Sequence, residues 1–404
     1  MKILLINHYA GSPSHGMEYR PYYLAREWVR QGHQVLILAA SQSHVRSTQP
    51  RAGSEVIDGI AYQWYPTPEY SGNGLGRVKN IWSFCSQVWR DADILARGFQ
   101  PDVVIGSSTY PMDMWVARRI AKKAKAKLVY EVHDLWPLSP IELSGMSKWH
   151  PFAMLCQKAE NDAYRDADAV VSMLPKVQRH MAAHGLDLKK LAIVPNGITL
   201  DEWEGELPAL SAELDSYFSA QQGRTVVGYA GSHGLPNALD VLLDAAHLLK
   251  DEPISIVMVG GGHEKARLVS RVQAEGLANV TMFDPIPKAQ IPALLARLDI
   301  AYIGWQRTPI YRFGIAPNKL MDYMMAERAV LHSVEAGNDP VAEAQAGLTV
   351  PPENPQAVAE GIRALARMSA DERAAMGRRG RAFVLAEHTY PVLARRFLDA
   401  LDGK

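Results

Sequence analysis

KILLINHYAGSPSHGMEYRPYYLAREWVRQGHQVLILAA, residues 2–40, decides the fold class. KILLIN (2–7) is an unbroken apolar run, the pattern of a parallel strand buried on both faces. A loop rich in glycine, serine and histidine runs from His8 to Gly16. Tyr22, Tyr23, Leu24, Trp28 and Val29 then mark a helix closed by Gln31-Gly32-His33, and QVLILAA (34–40) is the next strand. Strand, glycine loop, helix and strand make the opening βαβ unit of a doubly wound α/β sheet, whose ligands bind at the carboxyl ends of its strands. Gly16 stands at the helix entrance, where a missing side chain lets the backbone approach a phosphate. The loop lacks the GxGxxG spacing, which argues against a dinucleotide.

Outward from this unit, residues 61–66 read as a strand and residues 66–76 as a loop. Residues 75–99 look helical and set Arg77, Lys79 and Arg90 among Ile81, Trp82, Phe84, Val88 and Trp89. That mixture suits a helix packed on its own domain, and it also suits one lying on an anionic membrane. DVVIGSS (102–108) and KLVYEVHD (127–134) are strands around a helix that ends in a basic cluster, a solvated face. His133-Asp134 closes the second of them, at the functional edge of such a sheet. A histidine there can donate to a sugar hydroxyl or a developing charge, or simply bond a loop carbonyl. Residues 154–169 form a helix that leads into the strand AVVSML (169–174).

Near residue 190 the pattern restarts. LAIVPNGI (191–198), RTVVGYAG (224–231), ISIVMVGG (254–261), NVTMF (279–283) and IAYIGW (300–305) are strands between helical segments, the clearest helix being 239–249. Gly231-Ser232-His233-Gly234 and Gly260-Gly261-Gly262 each follow a strand, where backbone amides can cradle a phosphate or nucleoside. FGIAPNKLMDYMMAERAV (313–330) turns at Pro317-Asn318 and runs on as a helix that Asn318 can cap. Lys319 in its first turn suits an anion, and Asp322, at i+3, suits sugar hydroxyls. An ordinary capped surface helix with an internal Lys–Asp pair would carry the same letters.

A chain of 404 residues exceeds one core, so two domains are expected. Hydrophobic residues at 48% and charged residues at 21% are ordinary for a globular protein. Acidic and basic residues balance at 43 each, which disfavours a nucleic-acid partner held by overall charge. Cys85 and Cys156 have no metal-ligand spacing, and a reducing compartment fits them. The opening apolar run is too short for a signal peptide, and no run has the length of a membrane span. The expected location is the cytoplasm.

Taken in order, Gly16, His133-Asp134, Val194-Pro195-Asn196-Gly197, the Gly231 loop, Val259-Gly260-Gly261-Gly262 and the 317–324 helix resemble the retaining glycosyltransferases of family four. The resemblance covers nearly the whole chain. DLWP after His133 and the PNKLMDYM stretch are similar to a subgroup working on bacterial O-antigen, capsule and exopolysaccharide. It implies the GT-B architecture, α/β with two Rossmann-like doubly wound domains facing each other across a cleft. The boundaries expected are 1–190 for the acceptor domain, 191–385 for the nucleotide-sugar domain, and 386–404 for a helix returning to the first. Lys319 would hold the donor diphosphate, Asp322 the ribose, and His133 the donor sugar. Gly16 would face the diphosphate from the first domain. The 260–262 loop, Met282, Phe283 and Ile286 would line the nucleoside pocket, with Gly314, Ile315, Ala316, Pro317 and Asn318 leading into the helix. Arg20 and Asp134 would lie on the acceptor side.

Three positions depart from the family pattern. Ser232 and Asn237 stand where an arginine and a lysine are usual, and Gly314 stands at the first glutamate of the paired-glutamate motif. His233, Arg312 or Arg20 are the candidates to compensate. The implied reaction moves a hexosyl group with retention from a nucleotide diphosphate sugar to a lipid-linked or oligosaccharide acceptor. UDP is the expected carrier and an N-acetylated amino sugar the expected cargo. No cofactor or metal is expected, because lysine and helix terminus supply the positive charge. Asp91-Ala-Asp93 and Asp166-Ala-Asp168 are read as solvated acids, not metal ligands. An acceptor on lipid implies peripheral contact with the inner face of the plasma membrane. Two other readings compete: a degenerate scaffold in a polysaccharide-assembly complex, and a nucleotide-sugar 2-epimerase, which would need a carboxylate pair at the sugar.

Overall fold

The structure, a computed structural model, describes residues 1–16, 19–72 and 74–402. The chain divides into two compact units, 1–196 with 390–404, and 197–389. The first unit is built on an eight-stranded sheet: β1 (Lys2–Ile6), β2 (Gln34–Ala40), β3 (Gly53–Ile57), β4 (Ile60–Tyr65), β5 (Val103–Gly106), β6 (Lys127–Val132), β7 (Ala169–Ser172) and β8 (Leu191–Ile193). Its spatial order is β3-β4-β2-β1-β5-β6-β7-β8. All neighbours are parallel except the β3–β4 hairpin. The chain turns back at β1, which pairs β2 on one side (Ile3 opposite Val35) and β5 on the other (Ile3 opposite Val103). A crevice opens at such a switch point, at the carboxyl ends of the two strands.

The second unit repeats the plan with six parallel strands: β9 (Thr225–Ala230), β10 (Ile254–Val259), β11 (Val280–Phe283), β12 (Ile300–Gly304), β13 (Ala329–Ser333) and β14 (Gly347–Val350). Their order is β11-β10-β9-β12-β13-β14, so the switch point lies between β9 and β12. The Gly231 loop leaves the end of β9 there. Strands β9, β10 and β12 are buried almost throughout, which is why each reads as a continuous apolar run.

Leu191–Ile193 corrects the sequence reading, which gave this run to the second domain. It pairs in parallel with β7 and closes the first sheet. An apolar run announces a buried strand without saying which sheet will take it. The units accordingly meet at 196/197 and 389/390 rather than at 190/191 and 385/386.

The helix Tyr390–Leu401 belongs to the first unit. Its Phe397 ring lies 5.1 Å from that of Trp28 in the helix Arg20–Arg30, and Tyr390 lies 4.8 Å from Tyr23. The Trp28 indole donates to the Ala394 carbonyl at 3.1 Å. Trp28 and Phe397 are both fully buried. Phe397→Ala is expected to cost about 3–5 kcal/mol by leaving a cavity in this core. Urea unfolding followed by tryptophan fluorescence checks it, with a lowered midpoint as the expected result.

Candidate functional site

The helix Asn318–Met325 brings Lys319 back to the end of β9. Lys319 Nζ donates to the Tyr229 hydroxyl at 2.9 Å and to Asn237 Oδ1 at 2.5 Å, and it sits 4.9 Å from the centre of the Tyr229 ring. Both partners are neutral, so burial is not offset by a carboxylate and pushes the amine down to about 8. Tyr229 donates onward to the Ser232 carbonyl, which also accepts from Asn237 Nδ2. Asn237 and Ser232, two of the departures from the family pattern, thus hold the lysine in place.

The helix begins at Pro317, with no side-chain cap; Asn318 is its first residue and is exposed. The expected Asn318 cap is therefore absent. A proline cannot donate and has no capping side chain, so the first-turn amides keep their partial positive charge beside Lys319. Tyr323 pins the helix to β9 by donating to the Ala230 carbonyl and accepting from the Ala230 amide.

The two glycine loops pack on each other. A Cβ on Gly260 would fall 1.9 Å from the Gly231 carbonyl oxygen, and one on Gly262 would fall 2.5 Å from that of His233. The Gly231 amide donates to Val259 and the His233 amide to Gly261. These glycines are required by the loops' mutual approach, independently of any ligand. Between them the His233 ring is fully buried, and neither nitrogen has a hydrogen-bond partner among the described residues. Burial, with Lys265 and Lys319 nearby, lowers it to about 4, so it is neutral at pH 7.

Asp322 is half-buried, and desolvation raises its carboxyl to about 7, opposed by Lys288 and reinforced by Glu202. Lys288 and Glu202 pair with each other at 2.6 Å. Lys319 turns to Tyr229 and Asn237 rather than to Asp322, so the internal Lys–Asp pair is not formed. Gly314 is buried, and the Ile315 amide donates to Asn338 Oδ1. The Ile315 side chain is in the core, with Ala316 and Pro317 half-buried after it. Phe283 corrects the nucleoside-pocket reading. Its ring packs in the core 5.3 Å from Tyr217, leaving only its carbonyl, which accepts from Gly260 and Lys265, toward the loops. Met282 and Ile286 are half-buried and pack against the cores on either side of the sheet. Arg312 is exposed, donates to the Pro309 carbonyl and lies 4.2 Å from the Phe313 ring.

In the first unit, His133 follows β6 and stands over a buried ionic network. Its Nε2 is 2.9 Å from Ser107 Oγ and 3.3 Å from Glu131 Oε2. Ser107 Oγ donates to Glu131 at 2.6 Å, so it accepts from His133, and Nε2 carries the hydrogen. That donor is used inside the protein. Arg20 Nε donates to Glu131 at 2.9 Å, and its other nitrogens donate to the Pro195 and Val194 carbonyls. Arg20 is thus a buried counter-ion for Glu131, not an acceptor contact or a compensating cation. Burial raises the Glu131 carboxyl, but Arg20, His133 and Ser107 outweigh it, and it falls to about 2. Asp134 Oδ1 accepts from the Leu135 amide and the Ser139 hydroxyl. Gly16 closes a turn, its amide donating to Ser12 and its absent Cβ leaving room for Ser47 Oγ at 2.6 Å. Its amide is therefore committed within the loop.

Tyr229 and Glu131 are site residues that sequence reasoning missed. Each lies inside an apolar strand run, where a single polar letter gives no sign of what it bonds. Among the described residues, Glu160, His180 and His184 alone bring three potential metal ligands together. They lie on the first unit, in none of the networks above.

A model of the "glycosyl transferase 4-like domain" matches residues 15–197, and one of "glycosyl transferases group 1" matches residues 224–368. WcaI of Escherichia coli K12, named as a colanic acid biosynthesis glycosyl transferase, is 24% identical over 83% of this chain and 85% of its own. Among solved structures, sucrose-phosphate synthase from Thermosynechococcus elongatus aligns with TM-score 0.75 at 16% identity, over 98% of this chain and 97% of that one. Anabaena HepE in complex with UDP-glucose aligns with TM-score 0.66 at 16% identity over all of both chains.

The Arg20–Glu131 pair makes its own prediction. Arg20→Leu strands a buried carboxylate and is expected to cost about 3–5 kcal/mol in urea unfolding. Because the folded carboxyl lies below its ordinary 4.5, the pair's stabilisation is present above that pH and fades as pH falls toward about 2. Arg20→Leu is therefore expected to flatten the acid side of the stability profile.

Proposed function

The chain belongs to the glycosyltransferases that join a 4-like domain to a group 1 domain, with the GT-B fold, and we propose that it moves a hexosyl group from a UDP-sugar to a lipid-linked saccharide of a cell-surface polysaccharide. The observation that carries this reading is Lys319, a half-buried amine whose hydrogen-bond partners are neutral, beside an uncapped helix terminus at the end of β9. An amine so placed gains most from a diphosphate. The resemblance to WcaI over 83% of the chain favours polysaccharide assembly, and the HepE complex favours UDP as carrier. The reading puts the reaction in the cytoplasm, at the inner face of the membrane, with an N-acetylated amino hexose as the sugar.

In the proposed reaction, the bond from the anomeric carbon to the diphosphate oxygen breaks while one to the acceptor hydroxyl oxygen forms on the same face. The hydroxyl proton passes to the departing diphosphate, so configuration is retained and no protein nucleophile is needed. Lys319 and the first-turn amides stabilise charge gathering on the leaving group. Asp322 accepts from the ribose hydroxyls. His133, held by Ser107 and Glu131, orients the sugar. Lys319 supplies the charge that a divalent ion would bring, and the reaction is expected to survive chelation by EDTA.

A thermal-shift screen with UDP, GDP, ADP, dTDP and CMP, without added metal, tests the reading on wild type and Lys319→Ala. UDP is expected to raise the melting temperature, a stabilisation of about 2.7 kcal/mol when it stands at a hundredfold its dissociation constant. Lys319→Ala is expected to lose most of it. A wild type unmoved by every nucleotide at millimolar concentration overturns the donor site and favours the scaffold.

The pH profile is a second test. As pH rises through about 8 free Lys319 loses its proton, and below about 7 Asp322 gains one. Donor kcat/KM is therefore expected to peak between these values and fall on both sides. In Asp322→Asn the acid limb should disappear along with most of the activity.

A further inference from the structure

Two helices of the first unit, Pro151–Asp166 and Gln178–Ala183, flank β7 in the sequence and carry a cluster of side chains that the networks above do not use. Glu160 belongs to the first helix; His180 lies in the second, and His184 follows directly after it. An i, i+4 pair stands on one face of a helical turn, so both imidazoles can address the same point. Their ring centroids are 4.5 Å apart. His180 Nε2 lies 3.6 Å from Glu160 Oε1, and one ligand atom from each of the three residues falls within 4.8 Å of the others. The Glu160 side chain is 1% exposed and that of His180 13%, so the cluster is built into the protein rather than scattered over its surface.

Charge and hydrogen bonding both suit a cation at this place. Glu160 is a buried carboxylate with neutral donors, the Tyr164 hydroxyl at 2.9 Å on Oε1 and the Gln157 amide at 2.7 Å on Oε2. Among the described residues no lysine or arginine pairs with it; on the same helix, Lys158 and Arg165 are taken by Asp162 and Asp166. Gln157 Nε2 also lies 2.8 Å from Asn161 Oδ1 and 3.0 Å from His184 Nδ1. An amide nitrogen has two hydrogens, and here three acceptors compete for them. If His184 Nδ1 instead carries a hydrogen, directed to Asn161 Oδ1 at 3.3 Å, the lone pair moves to Nε2. In either tautomer the ring keeps an in-plane lone pair. Burial lowers the His184 imidazole, opposed by Glu160 and reinforced by His180, so it is neutral at pH 7, the form that ligates a metal.

We propose that Glu160, His180 and His184 bind one zinc ion, which staples the helix before β7 to the helix after it. Two imidazoles and one carboxylate, with a fourth position for water, are a ligand set of four-coordinate zinc, whereas magnesium and calcium take oxygen ligands. Tetrahedral zinc sets its ligand atoms about 3.4 Å apart. The Glu160–His180 pair is already near that spacing, and His184, half-buried at a helix end, is the ligand that closes on the ion. Gln157 and Asn161 orient the carboxylate and the ring from behind. Bridging residues 160 and 184 closes a loop that the unfolded chain leaves open, so bound zinc stabilises the fold. The site shares no residue with those proposed for transfer, and transfer is still expected to survive EDTA.

The full chain, without a histidine tag, is stripped with EDTA, desalted and titrated with cobalt(II) and then zinc(II). Wild type is expected to bind one equivalent of cobalt with the visible absorption of a four-coordinate site and to release it to zinc. It is also expected to melt at a higher temperature with zinc than without. His184→Ala, and Glu160→Gln, which keeps the size of the side chain, are each expected to weaken zinc about tenfold or more and to lose the rise in melting temperature. Circular dichroism with a cooperative melt checks that both variants are folded; if the buried Glu160→Gln does not fold, His184→Ala carries the test alone. No binding by wild type at millimolar zinc overturns the proposal and leaves a protonated His180 as the counter-ion of Glu160. Equal zinc affinity in wild type and His184→Ala also overturns it, as does magnesium bound as tightly as zinc.

Discussion

An amine partly withdrawn from water and given only neutral hydrogen-bond partners holds its proton loosely, and Lys319 is in that state. The Tyr229 hydroxyl and the Asn237 amide fix where the amine points without neutralising it. The Gly231 loop runs beside it, and Tyr323 ties its helix to the strand that carries Tyr229. Replacing either neutral partner with a carboxylate would satisfy the lysine internally and cancel its attraction for an anion. The site holds its cation in reserve, and the polar neighbours serve orientation rather than charge balance.

The first unit solves the opposite problem. Glu131 is fully buried, and Arg20, Ser107 and His133 together satisfy its carboxylate. Arg20 also binds the Val194 and Pro195 carbonyls, so the ion pair joins the end of β6 to the segment that follows β8. His133 is positioned by a charge it shares with a structural arginine.

Apolar runs made most of the fold legible, because β1, β2, β9, β10 and β12 are buried along most of their length and carry few polar letters. The β3 hairpin was not legible: Ser54, Glu55 and Val56 are exposed, and an edge strand facing water looks like a loop. Lys319 and Asp322 stand out in the sequence because helix spacing sets them one turn apart, yet Lys319 bonds Tyr229 and Asn237, which no spacing rule announces. Arg20 was misread since a single cation in a sequence has the same letter whether it meets ligand or a buried glutamate. The glycines of 260–262 signalled a tight approach correctly, but much of that approach is to the neighbouring loop. Residue type reports the constraint; only the fold reports which partner imposes it.

The departures at Ser232, Asn237 and Gly314 share one effect. Each removes a fixed charge from where the family resemblance puts one, two cations and one carboxylate. The groups that remain are Lys319, lowered to about 8, Asp322, raised to about 7, and His233, lowered to about 4. All three are shifted mainly by desolvation, toward their neutral forms. A diphosphate arriving beside them would reverse the shift on Lys319 and His233, because a nearby anion favours the protonated state of each. His233 is buried with no hydrogen-bond partner on either ring nitrogen among the described residues, so a proton taken up there would add a positive charge close to Lys319. On this argument charge complementarity is completed by binding. In the proposed reaction, a site with few permanent charges would then match a highly charged leaving group only while that group is bound.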